Sequence, residues 1–255
     1  MAGGGTRVTQ VPTFVLHAYP FRETSLIVEA FTGQYGRIAW VARGARRAGS
    51  ALRGLLLPFQ PMAAGWGGRG ELRTLHKVEW IGGLPPLSAT PLLCGLYVNE
   101  LLLRLLRRED PHEQLFEAYA RALVELSSGS GVSATLRRFE RELLAGIGYG
   151  LVLDRDASGM AIDPGARYVY QVGTGPLRAD ADRGDGIESD AQALTGQTLT
   201  GQTLMGQTLI DMAHDRFTDA HSLQESKLLT RHVLAHYLGD QPLHTRDLLR
   251  SLQNL

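Results

Sequence analysis

The chain has 255 residues, 44% of them hydrophobic, with 26 basic and 26 acidic side chains and no net charge, enough apolar material for ordinary cores in one large domain or two to three small ones. No stretch approaches the roughly 20 uncharged apolar residues of a membrane helix, and the opening MAGGGTRVTQ lacks the apolar region of a secretory signal, so a cytoplasmic protein is expected. The single cysteine, Cys94, lies in the apolar run LLCGLYV; it excludes an intramolecular disulfide and a multi-cysteine zinc site and is expected to be a buried thiol.

From residue 13 to 81 the apolar runs are short and β-rich: TFVLHA, SLIVEAF, RIAWVARG, PFQPMAAGW and LRTLHKVEWI, separated by turn formers such as Thr32-Gly33, Gly67-Gly68 and Gly70. Five strands in about seventy residues leave no room for crossover helices, which predicts a small antiparallel barrel of OB-like type. The fold class is therefore α+β: a barrel domain over residues 1–82, then an α-helical bundle domain over 83–255.

Near residue 88 the period becomes helical. Thr90-Pro91 supplies an N-cap and first helical position for LLCGLYVNELLLRLLRRE, whose basic end suits a helix C-terminus. Asp110-Pro111 repeats that signal for a helix to about Leu126, which SSGSG ends. Ser133 opens a third helix with Leu136, Phe139, Leu143 and Ile147 on one side and Gly148 as its C-cap.

Residues 150 to 195 form a Gly- and Asp-rich insertion with one short hairpin expected around ARYVYQVG. A tandem repeat, GQTLT-GQTLM-GQTLI, covers residues 196 to 210; its period of five matches neither helix nor strand, so it is read as duplication in a tolerant surface loop, with only the last copy structurally required. Asp219 caps a final helix to about Tyr237, and a helical tail, TRDLLRSLQ, closes the chain.

The zero net charge hides a strong asymmetry. Residues 37 to 77 carry Arg37, Arg43, Arg46, Arg47, Arg53, Arg69, Arg73 and Lys77 against Glu71 alone, a net of +7, whereas residues 150 to 225 carry twelve acids and five arginines, a net of −7. The first segment is suited to a polyanion. A Gly-punctuated basic loop between barrel strands lays guanidinium groups along a phosphate track, while Trp40, Phe59 and Trp66 either stack on unpaired bases or fill the core.

Other motifs are weaker. Asp154-Arg155-Asp156-Ala157-Ser158-Gly159 opens like a calcium loop, but position 12 is Gly165 instead of a bidentate Glu. His232 and His236 have the spacing of two zinc ligands on a helix, yet the intervening VLA lacks a metalloprotease Glu. No cofactor fingerprint is present. The residues alone leave open a DNA-binding module, an OB-fold RNA-binding protein, and a metal-dependent hydrolase built on the two histidines.

The segments FVLHAYPFRETSLIVEAFTGQYGRIAWVARGARR, LRGLLLPFQP, GRGELRTLHKVE, GLYVNELLLRLL and LRRFERELLAGIGYG, together with LTGQTL and TRDLLRSL, resemble the RecO family of bacterial DNA-repair proteins from about Phe14 to the end. The resemblance implies an N-terminal OB-fold and a helical domain. It also implies a non-enzymatic, nucleoid-associated protein that binds single- and double-stranded DNA, anneals strands coated by single-strand-binding protein, and acts with RecR, sometimes RecF, to load RecA. Some members carry a zinc ribbon held by four cysteines; the corresponding loop here, DRDASGMAIDPG, has none, so neither a metal site nor a cofactor is expected. The DNA-binding residues assigned are Arg37, Arg43, Arg46, Arg47, Arg53, Arg69 and Arg73.

The resemblance further implies that the helical domain receives the acidic C-terminal tail of single-strand-binding protein, which ends in phenylalanine. On the helix opened by Ser133, with Leu136 as reference, Leu143 and Ile147 lie within about 20°, Glu140 near 40°, Leu144 near 80°, Arg137 near 100° and Arg138 near 200°. Arg137 beside Leu144 is the expected seat for carboxylate and phenyl ring, Arg138 pointing to solvent; pairing of Arg137 with Glu140 is the competing reading.

Overall fold

The computed structural model describes residues 7–179, 203–239, 242–245 and 248. The chain divides into two compact units, Met1–Val132 with Pro242–Leu255, and Ser133–Gln241.

In the first unit, β1 (Val8–Phe21), β2 (Ser25–Thr32), β3 (Gly36–Ala42), β4 (Met62–Gly67) and β5 (Leu72–Trp80) close a barrel in the order β1-β2-β3-β5-β4. All neighbours are antiparallel except β3 and β5, which run parallel. This is the OB-type arrangement. β1 is much longer than the expected TFVLHA because it serves two partners, β4 through its first half and β2 through its second, with register shifts at Val8/Val11 and Val15/His17 that bend it round the barrel. The period-2 pattern of β3 sends Ile38, Trp40 and Ala42 inward to meet Val28, Ala30 and Met62. A short helix, α1 (Leu52–Leu55), fills the β3–β4 connection.

The outer face of β1 and β2 is also covered. Phe14 and Phe31 pack on Phe116 and Tyr119 of α3 (Glu113–Ser128), with ring centroids 5.1–6.1 Å apart. The fully buried Tyr119 hydroxyl donates to Asn99 Oδ1 at 2.6 Å, and Asn99 Nδ2 donates to the Leu16 carbonyl at 2.9 Å, joining α3, α2 (Ala89–Leu105) and β1 through one satisfied polar chain. Burial pushes the Tyr119 phenol far above its ordinary value. Cys94 is buried in α2.

Both expected helix starts are displaced. α2 begins after Ser88, and α3 begins at Glu113 instead of Asp110-Pro111. The residues between the helices are committed elsewhere: Glu109 N donates to Arg37 O and His112 N to Gly33 O, each at 3.0 Å, so the segment is strapped across the β2–β3 turn. Tertiary hydrogen bonds override the local start signal. The other end of α3 follows the sequence, with Gly129 in the left-handed region after Ser128.

The second unit is mixed. α4 (Val132–Gly146) ends as expected at Gly148 (φ +87), with Tyr149 N donating to Leu144 O and Gly148 N to Ala145 O, the two bonds of a Schellman cap. The expected hairpin is present as β6 (Arg167–Gln171) and β7 (Gly175–Arg178), and β6 also pairs β8 (Leu204–Met205). α5 (Gly206–Ala213) was not anticipated, and α6 (Ala220–Leu238) is capped as expected by Asp219, which accepts from Ser222 N at 2.7 Å.

The last repeat copy accounts for α5. A Cβ on Gly206 would lie 1.9 Å from Asp163 O, so only glycine fits. Gln207 donates to Asp211 Oδ1 at 2.7 Å, the Thr208 hydroxyl donates to the buried Glu225, and Leu209 is fully buried. Each residue of this GQTL therefore has a packing or hydrogen-bonding task. Most of the two preceding copies, residues 196–202, lies outside the described residues, as does most of the expected tail helix.

Candidate nucleic-acid interface

The assigned arginines, consecutive in sequence, separate into groups with different surroundings. Arg43, Arg46, Arg47 and Arg53 are exposed on the connection after β3. That connection is held by backbone bonds, Arg46 N to Thr24 O at 2.9 Å and Arg47 N to Gly44 O at 3.1 Å, which shape the loop without engaging most of its guanidinium groups. Among the described residues, Arg46 of the four donates a side-chain hydrogen bond, at 3.2 Å to Arg22 O. Arg69 is exposed on the β4–β5 turn, at the opposite end of the barrel.

Arg37 and Arg73 are differently employed. Arg37 is half-buried: its Nη1 donates to the Leu103 carbonyl of α2, and its Nε lies 4.0 Å from buried Glu29, which also accepts from Arg108. Burial draws the Arg37 guanidinium below its ordinary value, opposed by the Glu29 charge. A group so held serves the barrel's outer wall first. Arg73 donates to Gly68 O and to Glu109 Oε1, each at 2.7 Å, so a phosphate would have to displace a carboxylate. Glu29, an acid inside the apolar run SLIVEAF, is buried at this wall, a placement not anticipated from the sequence.

Trp40, Phe59 and Trp66 are all in the core, at 0%, 7% and 3% exposure, and none presents a free stacking face. Alternation along β3 and β4 points Trp40 and Trp66 inward, where their rings lie 5.3 Å apart. The half-exposed aromatics of the barrel are instead Tyr19, Tyr35 and Trp80.

In the second unit, the face of α4 that carries Leu143 also buries Thr135, Arg137, Phe139, Glu140 and Leu144. The stripe thus spans about 200° of the helix and takes in positions expected at its border. Arg137 is 6% exposed and donates to Glu140 Oε1 at 2.6 Å; its Nε and Nη1 are buried without a partner among the described residues. Leu144 is fully buried, a packing residue as the structure stands, whereas Leu136 and Ile147 are only half-buried.

The family profile "Recombination protein O N terminal" matches residues 7–84, and "Recombination protein O C terminal" matches residues 88–247. The chain belongs to the RecO family. Among similar proteins, the DNA repair protein RecO of Nitrosospira multiformis is 50% identical over 246 residues, covering 96% of this chain and 96% of the relative. Those of Aromatoleum aromaticum and Dechloromonas aromatica are 49% and 46% identical, each covering 98% of both chains.

The zinc ribbon of some RecO proteins does not fit this chain. Its loop is closed by other means: Asp156 Oδ1 accepts from Ser158 N, Ser158 Oγ and Met160 N at 2.6–3.0 Å, so the carboxylate of the calcium-like motif is spent within its own turn. Those bonds, led by the Ser158 hydroxyl, hold the Asp156 carboxyl below its ordinary value. The Tyr168 and Tyr170 hydroxyls accept from Asp163 N and Val152 N at 2.9 and 3.1 Å, pinning both ends of the loop to β6. Among the described residues no three His, Cys, Asp or Glu side chains gather as a metal site. His236 lies edge-on to Tyr237 at 5.0 Å, and Tyr237 stacks on Tyr149 at 3.8 Å. No helix among the described residues is long and apolar enough to cross a membrane.

Proposed function

We propose that this protein is a DNA-repair mediator that binds single- and double-stranded DNA through its barrel, anneals complementary strands, and acts with RecR, and in some settings RecF, to load RecA, without catalysing a reaction itself. The observation that carries the reading is the exposed quartet Arg43, Arg46, Arg47 and Arg53 on a loop with no acid in it, on a barrel of OB type within a RecO-family chain. With Arg69 these give about five phosphate contacts, so the log–log salt slope on single strands is expected at roughly −3 to −4. A gel shift on single strands followed by a strand-annealing assay tests it; failure to shift single or double strands at low salt refutes it. The same segment arranged for RNA would show itself as tighter binding to an RNA oligonucleotide of equal sequence.

The acidic tail of single-strand-binding protein is proposed to dock on the second unit at Arg137. In support, two N–H-bearing nitrogens of this buried guanidinium have no partner among the described residues, an arrangement that favours an incoming carboxylate. Because Leu144 is covered, docking through that residue requires the flank of α4 to open. With a labelled tail peptide, Arg137→Ala is expected to weaken binding by about 1–3 kcal/mol and Arg138→Ala to change it little. Equal small effects from both place the pocket elsewhere.

A further inference from the structure

At the end of the barrel away from the exposed arginine loop, a cavity of about 320 Å³ is lined by Gln34, Tyr35, Trp66, Arg73, Glu109 and Pro111. Its aromatic wall is layered. Tyr35, on the β2–β3 turn, stands edge-on to Trp66 at 5.3 Å and is 38% exposed, and Trp66 in turn packs on Trp40 inside the barrel. The turn that carries Tyr35 is fixed from within by the Thr32 hydroxyl, which accepts from Tyr35 N at 3.1 Å and donates to Gly36 O at 3.2 Å. A half-exposed ring backed by a rigid indole is a preorganised apolar surface, and a flat conjugated ring is the shape it accepts.

The polar wall contains one cation already holding an anion. Arg73 donates at 2.7 Å to Glu109, whose side chain is 49% exposed and stands at a backbone φ of +59°. A carboxylate on an arginine occupies the position a phosphate oxygen would take, and this pair, with Glu109 half-exposed and Arg73 24% exposed, stays open to solvent that weakens its hold. Among the described residues the acid lining this cavity is Glu109; Glu71, on the β4–β5 turn, lies 3.7 Å from Arg108 instead.

The geometry points to a binding subsite for a single unpaired nucleotide of DNA, with its base against Tyr35 and its phosphate on Arg73 in place of Glu109. The inference rests on the DNA-binding reading and deepens it. Tyr35 gives the barrel a means of telling single from double strands, because a paired base has no free face to offer. Glu109 sets the affinity, as an internal competitor that each bound strand must displace.

Fluorescence anisotropy of the full chain with a labelled single strand and the matched duplex decides it. Tyr35→Ala is expected to weaken single-strand binding by about tenfold while leaving duplex binding unaltered, and Tyr35→Phe to behave as the parent. Glu109→Gln, which leaves the aromatic wall intact, is expected to tighten single-strand binding roughly two- to fivefold. A Tyr35→Ala protein that melts normally and binds single strands like the parent overturns the subsite, as does Glu109→Gln with unchanged or weaker binding. If the parent binds neither DNA, the DNA-binding reading falls and the subsite with it.

Discussion

The carbonyl oxygen of Asp110 lies 1.9 Å from where a Cβ on Gly36 would stand, so the strap between α2 and α3 can lie across the β2–β3 turn only because residue 36 has no side chain. Gly36 also adopts φ +64°, in the left-handed region that favours glycine.

Gly36→Ala is therefore expected to cost about 3 kcal/mol or more, since both the strap and the turn must shift. Gly70→Ala provides the comparison: φ is again positive, at +83°, but nothing lies within 4 Å of the new methyl. About 1–2 kcal/mol is expected there. Urea denaturation of the two variants checks the ordering.

Reversing the exposed loop charges should weaken DNA binding without unfolding the barrel. Arg46→Glu with Arg47→Glu is expected to lower affinity for all sequences alike and to flatten the salt slope. Arg37→Ala should do the opposite, lowering the melting temperature by removing the Leu103 contact and leaving Glu29 with fewer cationic neighbours, with a smaller change in the slope. Undiminished affinity in the double variant removes the loop from the interface.

The repeat copies should be unequal. Thr208→Val takes a hydroxyl donor from buried Glu225, and a loss of about 1–3 kcal/mol is expected. Deleting residues 196–200, one whole copy, is expected to leave thermal melting unchanged. A large loss on that deletion would show that the extra copies bear on folding.

One acid-sensitive joint can be followed directly. Burial pushes the Glu100 carboxyl upward, but the Thr245 hydroxyl and amide, the His244 amide and Arg104 together outweigh it and hold the group below its ordinary value. A lowered folded-state value means that the contribution is complete above the unfolded value of about 4.3 and is lost as pH falls through the folded one. Hydrogen exchange at the His244 and Thr245 amides should show constant protection from pH 7 to 5 and a drop below about pH 4. Glu100→Gln should show weaker protection at neutral pH and no acid step.

The loop of residues 154–163 is expected to hold its form in chelator, because its closure uses Asp156, Tyr168 and Tyr170. Melting with and without EDTA should coincide. Elemental analysis finding about one zinc per chain would reverse this assignment.

Much of the architecture was legible from local signals, for physical reasons. Short β-rich runs between turn formers placed all five barrel strands, and the Asp219 N-cap and Gly148 C-cap bounded their helices because cap chemistry is satisfied within a few residues. What failed depends on distant partners. Asp110-Pro111 has the form of a helix start, but its neighbours bond to the β2–β3 turn. α5 begins on a glycine with no capping side chain, and what requires that glycine is a carbonyl more than forty residues earlier in the chain. At the site, charge clustering found the exposed loop arginines but not the engagement of Arg37 and Arg73, because their partners lie later in the chain, Leu103 on α2 and Glu109 on the strap that follows it. Aromatic content along β3 and β4 said nothing of which face each ring would take until the barrel closed.

The arginines that form one cluster in sequence sit at the two ends of β3. Six residue steps separate Arg37, at the end next to the β2–β3 turn, from Arg43 at the other, about 20 Å of extended chain. Phosphates along one strand of duplex recur about every 3.4 Å, so this separation corresponds to roughly six of them. On the proposed DNA-binding reading, a duplex of two or three base pairs has the reach to touch only one end, and about six are needed to engage both.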